Sequence, residues 1–245
     1  VSRSCWSLED IRLIGLTKRP EYSTMSELRL KAIIDAVDHI NTQGVHGAVA
    51  EMGVYKGGNV ALMSWLTQGS RLVWAYDTYE GVPSDEVVDS DVQLGKHGVV
   101  EYDSVEHRYQ DDRWCYCSLE DVQQNVQQLL FDYSVGDQTQ TWTQHLEKIV
   151  YIKGSVLETI PNNMPYCYSF IRLDMDIAQP TQHVLPHVWN KLNQYGVLHI
   201  DDYGMFGGVR QVVDEFFADK QIYKHEIDDT AISITKLGEL NGIEE

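Results

Sequence analysis

Across residues 25–40 the apolar positions Leu28, Ile33, Ala36, Val37 and Ile40 recur at a spacing that predicts a helix. Ser26 or Thr24 can cap its start, and Gly44 follows its end. A short apolar run, Ala48-Val49-Ala50, then ends in Glu51-Met52-Gly53, and beyond Gly57 and Gly58 a second helical stretch covers about residues 59–68. Residues 71–76 read as a buried strand that stops at Asp77, and further strands are expected at 149–152, 169–173 and 197–200. Helical stretches lie between them, most clearly at 181–193 and 209–217. Strand–helix alternation of this kind predicts an α/β fold, a parallel sheet wrapped by helices on both faces. The last segment differs, because 223–227 and 231–236 flank Asp228-Asp229-Thr230 and predict an antiparallel hairpin at one edge.

No linker separates two apolar cores, so the chain of 245 residues, 43% of them hydrophobic, is expected to form a single domain over 1–245. Residues from about Ser84 to Trp114 lack clear periodicity and are rich in acids. A structureless excursion of that length predicts a lid-like insertion, about 84–117 in all, in which Tyr102, Tyr109, Trp114 and Tyr116 could supply an aromatic wall. The formal net charge of −18 argues against a nucleic-acid partner, since phosphates would be repelled over most of the surface. No run of 18 apolar residues is present, so no membrane span is expected. The polar start at Val1 does not resemble a signal peptide, and Cys5, Cys115, Cys117 and Cys167 form no disulfide or zinc framework. Reduced thiols and a cytoplasmic location are the expectation.

The chemistry is expected at the carboxyl ends of the strands, where open parallel sheets bind ligands. Those ends carry Glu51, Asp77, Asp174 and Asp201-Asp202, and such a concentration of carboxylates calls for something positive among them. The turn from Glu51 through Gly53, Tyr55, Gly57 and Gly58 to Asn59 is glycine-rich but fits neither the dinucleotide fingerprint nor a P-loop. It suits a carboxylate or phosphate at a helix start, and Asp77 is placed to accept hydrogen bonds from ribose hydroxyls, so a small adenosyl ligand with a short anionic end fits both. Asp174 and Asp176, if extended, share a face and lie roughly 6–7 Å apart. With Asp201 and Asp202 they make a hard oxygen site suited to Mg²⁺, or to Ca²⁺ or Mn²⁺. His199, inside an apolar strand, reads as a packed core residue.

Several segments together resemble the macrocin O-methyltransferase (TylF-like) family. They are Tyr22-Ser23-Thr24-Met25, Ala50 through Gly58, Asp77-Thr78-Tyr79-Glu80-Gly81-Val82-Pro83, Gly154 through Pro161, Arg172-Leu173-Asp174-Met175-Asp176 and Ile200-Asp201-Asp202-Tyr203-Gly204, leading to 210–216. The resemblance implies a Rossmann-like class I methyltransferase sheet with an antiparallel final strand, similar in plan to catechol O-methyltransferase. It also implies S-adenosylmethionine (SAM), Mg²⁺ and a small-molecule hydroxyl acceptor such as a sugar, polyol or natural product. By the same resemblance Glu51, Gly53, Tyr55 and Asn59 hold the methionine end of SAM, Asp77 takes the ribose with Thr78 beside it, and Gly154-Ser155 lies along the adenine. Asp174, Asp201 and Asp202 hold the metal, Asp174 also borders the cofactor, and Asp176 is the general base. Thr24 and Met25 belong to an N-terminal cap, about 1–45, that closes over the cofactor. The chain departs from the family at Asn59, usually Ser, and at Ile177-Ala178-Gln179-Pro180-Thr181, where Leu-Tyr-Glu-Ser-Thr is common. A polar stretch around 135–145 has no counterpart in this reading.

Two other classes compete. A nucleotide-dependent oxidoreductase is disfavoured by Tyr55 at the second glycine position of the fingerprint, and a SAM- or metal-binding module without catalysis would leave the same acids in place. The oligomeric state, a homo-oligomer included, is not legible in the sequence.

Overall fold

Ser7 opens the first helix by a reciprocal cap: its hydroxyl accepts the Asp10 N–H, and the Asp10 carboxylate accepts the Ser7 N–H. The computed structural model describes residues 6–94, 114–135 and 141–238, and the backbone alone of 100–104. Helix α1 covers Leu8–Thr17 and α2 covers Glu27–Thr42, with Ser26, of the two candidates, as its cap. Leu30, Ile33, Ile34, Val37 and Ile40 form the buried stripe of α2, whereas Leu28, counted in the sequence pattern, is 56% exposed. At 100° per residue it stands about 140° from Ile33 and falls off the stripe.

The remaining elements follow in chain order: β1 (Ala48–Met52), α3 (Gly58–Leu66), β2 (Val73–Asp77), β3 (Val92–Leu94), β4 (Val100–Ser104), α4 (Leu119–Ser134), α5 (Trp142–Leu146), β5 (Ile149–Lys153), α6 (Val156–Thr159), β6 (Tyr168–Leu173), α7 (Ala178–Lys191), β7 (Leu192–Ile200), α8 (Gly207–Phe217), β8 (Ile222–Glu226) and β9 (Ile232–Lys236). The main sheet runs β5-β2-β1-β6-β7-β9-β8. Its first five strands are parallel, and β9 pairs antiparallel with both β7 and β8. The expected hairpin is therefore β8–β9, with the last strand inserted between β7 and its own partner. Period-two alternation divides the core between two faces. Val49, Val73 and Phe170 pack with α2, α3 and α4, while Ala50, Tyr76, Ile171 and Leu198 pack with α7 and α8. The chain leaves β1 toward β2 on one side and reaches β6 on the other, so the crevice at the carboxyl ends opens around β1.

The expected structureless excursion is ordered in its first part, a correction with a clear cause. A 3₁₀ turn at Ser84–Glu86 leads to Asp91, which is buried and accepts the N–H groups of Val88 and Ala178. Leu94 N–H then donates to Met205 O at 2.7 Å, and Gln93 bridges Phe206. One buried carboxylate and one strand bridge thus tie 84–94 to the starts of α7 and α8, signals that periodicity does not carry. The side chains of Tyr102 and Tyr109 lie outside the described residues, as does Cys5. In the polar 135–145 stretch, α5 buries His145 against Trp65, with ring centroids 4.9 Å apart; residues 136–140 lie outside the described set.

Candidate active site

The backbone draws the strand ends together before any side chain acts. Gly53, directly after β1, adopts φ +86°, donates its N–H to Tyr76 O at 2.9 Å, and sits so close to the Asp174 carbonyl oxygen that a side chain there would collide with it. Asp174 N–H donates to Met52 O at 2.8 Å. The ends of β1, β2 and β6 are therefore stitched at one level. Gly58 opens α3 against the Tyr22 carbonyl, accepting no Cβ, and so binds the segment carrying Thr24 and Met25 to the rim.

One cleft of about 530 Å³ runs along these ends. Thr24, Met25, Gly53 and Tyr55 line it on the N-terminal side, and Asp77, Thr78, Gly154 and Ser155 line it over β2 and β5. Asp174, Asp176, Asp201 and Asp202 line its other end. Glu51 and Asn59 are not on its surface. Both are buried, bonded to each other through Asn59 Nδ2 and Glu51 Oε1 at 2.9 Å, and set behind the turn.

Asp77 is held by backbone. Oδ2 accepts Val54 N–H and Tyr55 N–H at 2.7 and 3.0 Å, and Oδ1 accepts Tyr79 N–H at 2.7 Å. Burial raises its pKa, and these three bonds pull the other way. Across the strand, Gly154 donates its N–H to Asp77 O at 3.0 Å, and Ser155 caps α6 while its Oγ donates to Glu86 Oε1 at 2.6 Å.

The opposite end is held by arginines. Arg172, 1% exposed and the penultimate residue of β6, sends Nη1 to Glu51 Oε1 and Asp174 Oδ2 and Nη2 to Asp201 Oδ1, each at 2.7 Å. Arg29 of α2 reaches Asp201 Oδ2 at 2.5 Å, Asp228 Oδ2 at 2.8 Å, and Thr230 Oγ1. Asp202 is buried and accepts the Asp176 N–H at 2.9 Å, with no arginine beside it among the described residues. Asp176 has φ +65°, so the chain turns there instead of continuing extended from Asp174. The extended backbone on which the same-face spacing of these two rested ends there, and the Asp176 N–H meets Asp202.

Burial drives the titration of the group. It lifts Glu51 to about 7 against the pull of Arg172, and Asp201 to about 6 against the pull of Arg172 and Arg29. Asp202 is raised well above the carboxylate range by burial, then by Asp176, Asp174 and Asp201. Burial works against the Arg172 charge, but Asp174, Asp201 and Glu51 outweigh it and hold its pKa well above the ordinary value. His199 is buried edge-on to Phe170 at 4.8 Å, and burial, then Arg172, bring it down to about 3, so it stays neutral in the core as expected.

The arginines and Glu86 are what sequence reasoning underused. Arg172 carried a signal: a cation inside an apolar strand must find buried anions. Arg29 and Glu86 carried none, because each meets its partners only through tertiary packing. Trp114 lines the cleft, whereas Tyr116 is 42% exposed and does not.

A divalent cation fits this donor set. Asp174, Asp201 and Asp202 each offer a carboxylate oxygen, all within 4.8 Å of one another, without sulfur or imidazole among them. The two arginines pair with Glu51, Asp174 and Asp201 and, among the described residues, leave Asp202 without one, so the uncompensated carboxylate of the three is Asp202.

Comparison with known proteins agrees with this geometry. The family model described as Macrocin-O-methyltransferase (TylF) matches residues 12–236. Demethyldecarbamoylnovobiocin O-methyltransferase of Streptomyces niveus is 25% identical over 214 residues, spanning 86% of this chain and 71% of that protein. Mycinamicin III 3''-O-methyltransferase of Micromonospora griseorubida is 25% identical over 218 residues, spanning 86% and 74%. Among solved structures, the O-methyltransferase NovP superimposes with a TM-score of 0.72 at 18% identity, covering 94% of this chain and 100% of that one. An O-methyltransferase from Bacillus cereus in complex with SAH gives 0.53 at 9% identity, covering 95% and 93%.

Proposed function

The chain belongs to the macrocin O-methyltransferase (TylF) family and is a SAM-dependent O-methyltransferase, and from that premise we propose that it methylates a hydroxyl of a small natural product or sugar beside a divalent cation held by Asp174, Asp201 and Asp202. The single observation that carries this reading is the continuity of the cleft, which joins the glycine turn, Asp77 and Gly154-Ser155 to the carboxylate end.

Residue roles follow from position. Gly53 and Tyr55 line the cleft just ahead of the α3 N-terminus, where the methionine end of the donor would lie. Asp77, fixed by three backbone donors and by the Thr78 hydroxyl, lines the cleft where the ribose hydroxyls of the donor would approach. Glu51 and Asn59 act from behind by buttressing that turn, and Met25, with its sulfur 2.9 Å from Arg172 Nη2, fastens the N-terminal segment over the site. When bound, the cation supplies the lowered hydroxyl pKa without which a carboxylate is too weak a base for an alcohol. Asp176, at the bend beside Asp202, receives the hydroxyl proton. The excess of carboxylates over arginines favours a cationic sulfonium, and the neutral thioether product loses that attraction. Ile177 and Pro180 line the acceptor side, at positions that depart from the family pattern, so the acceptor is expected to differ from its antibiotic sugars.

A second reading has one observation in its favour: both oxygens of Asp201 are already held by guanidinium groups. In it the acids are structural and transfer needs no metal. SAM consumption with a panel of polyols and sugars, with Mg²⁺ or with EDTA, separates the two. Loss of turnover in EDTA with S-adenosylhomocysteine binding retained supports the first; full turnover in EDTA overturns its metal.

A further inference from the structure

Glu86 is a cleft residue that the reading above leaves unused. It ends the 3₁₀ turn after Pro83, is half-buried, and lines the cleft together with Ser155. Its Oε1 accepts the Ser155 hydroxyl at 2.6 Å, and that hydroxyl in turn accepts Leu157 N–H at 3.2 Å, so the contact is fixed from both sides. The carboxyl has no other hydrogen-bond partner among the described residues, which leaves Oε2 as an acceptor at the cleft wall.

Sheet geometry says what comes near it. Strands β5, β2, β1 and β6 are adjacent in that order, so the turn after β5 lies about 14 Å, three strand spacings, from Asp174 after β6. A methyl donor whose sulfur approaches the carboxylate end and whose ribose meets Asp77 carries its base onward over β5. Val82, Pro83, Trp114 and Val156 give apolar walls there. Between apolar walls only the edge of a purine can be read by polar groups, and the edge of adenine presents an amine donor where hypoxanthine presents a carbonyl acceptor.

We propose that Glu86 accepts a hydrogen bond from the exocyclic amine of the donor's adenine and makes the cleft selective for 6-amino over 6-oxo purine nucleosides, an inference that rests on the methyl-donor reading above. A 6-oxo group turns lone pairs toward the carboxylate and is repelled. Selectivity then resides in the insertion and not in the strands that carry the chemistry.

Calorimetric titration of the intact protein with S-adenosylhomocysteine and with S-inosylhomocysteine tests this. Wild type is expected to favour the adenosyl compound by about 10- to 100-fold, the range of a hydrogen bond to a charged group. In Glu86→Gln, whose amide can donate to an oxo group, the preference is expected to shrink to within about threefold, chiefly through tighter binding of the inosyl compound. Glu86→Ala, which offers neither partner, should show a similarly small preference. Equal wild-type affinity for both compounds overturns the inference without any variant, and so does full preference retained in folded Glu86→Gln. Wild type that binds neither compound overturns the methyl-donor reading itself.

Discussion

Asp77 and Asp201 stand at the carboxyl ends of parallel strands in one sheet, and the chain neutralises them by different means. Around Asp77 three backbone N–H groups converge, supplied by the turn after β1 and by Tyr79. Around Asp201 two guanidinium groups converge, one from the core of β6 and one from α2. Backbone donors come with the fold and are neutral dipoles, so the β2 end can receive a nucleoside without rearranging charge. Arginine partners carry full charge and must themselves be buried, so at the β6–β7 end removal of an arginine leaves buried carboxylates without their cation. The difference assigns precision to one end and electrostatic leverage to the other.

Arg172→Met is the harshest way to break the comparison. It leaves Glu51, Asp174 and Asp201 buried without their shared cation and is expected to cost about 3–5 kcal/mol in urea unfolding. Arg29→Met should cost only about 1–2 kcal/mol, because that side chain is 19% exposed and Asp201 keeps Arg172. Equal losses would mean that the two arginines are interchangeable and the buried centre is not special. Next in size, Asp77→Asn turns an amide NH₂ toward backbone donors and is expected to cost about 1–3 kcal/mol. It should weaken S-adenosylhomocysteine binding at least about tenfold while leaving cation binding at the other end unchanged. Parallel loss of both would show that the two ends are not independent.

His199 lets pH probe the ionic end from below. Its folded pKa, about 3, lies under the unfolded value, so the unfolded chain binds the proton first and stability falls as pH drops through 6.5 toward 3. The expected loss is about 1.4 kcal/mol per pH unit inside that window. Glu51 and Asp201 have raised folded values, about 7 and about 6, and contribute the opposite slope, gaining stability as pH falls. The wild-type curve therefore sums both effects, and the difference between wild type and His199→Leu isolates the histidine. A difference curve flat from pH 6.5 to 4.5 would remove it from the balance.

Much of this contrast was legible in the chain before folding. Strand ends at Met52, Asp77 and Ile200, the β8–β9 hairpin and the gathering of Asp174, Asp201 and Asp202 follow from periodicity and from acids placed directly after apolar runs. What escaped has a common physical cause. Asp91 pinning the insertion, Glu86 meeting Ser155 and Arg29 crossing to Asp228 are contacts between residues 69 to 199 positions apart. No local pattern encodes them, since their energy is realised only once the sheet has set the distances. The bend at Asp176 escaped for another reason: a positive φ at a non-glycine residue is imposed by its surroundings and leaves no mark in composition.

The smallest expected effect on stability is also the sharpest test of the comparison. Asp202 is a buried carboxylate set among Asp174, Asp176 and Asp201, and it accepts the backbone N–H of Asp176. Asp202→Asn keeps an acceptor for that N–H and removes one of the crowded charges. The cation-free variant should therefore be no less stable than wild type, because the charge it lacks is one that burial and three neighbouring carboxylates already disfavour. Divalent affinity should move the other way and fall at least about tenfold, because the charge that destabilises the empty site is the one that attracts the ion. Melting curves in Mg²⁺ and in EDTA read both signs at once: wild type gains stability with Mg²⁺ by mass action, and the variant does not. A variant that is less stable than wild type in EDTA and shows the same response to Mg²⁺ would make Asp202 a structural acceptor like Asp77. The two ends of the cleft would then differ in the source of their donors and not in their chemistry.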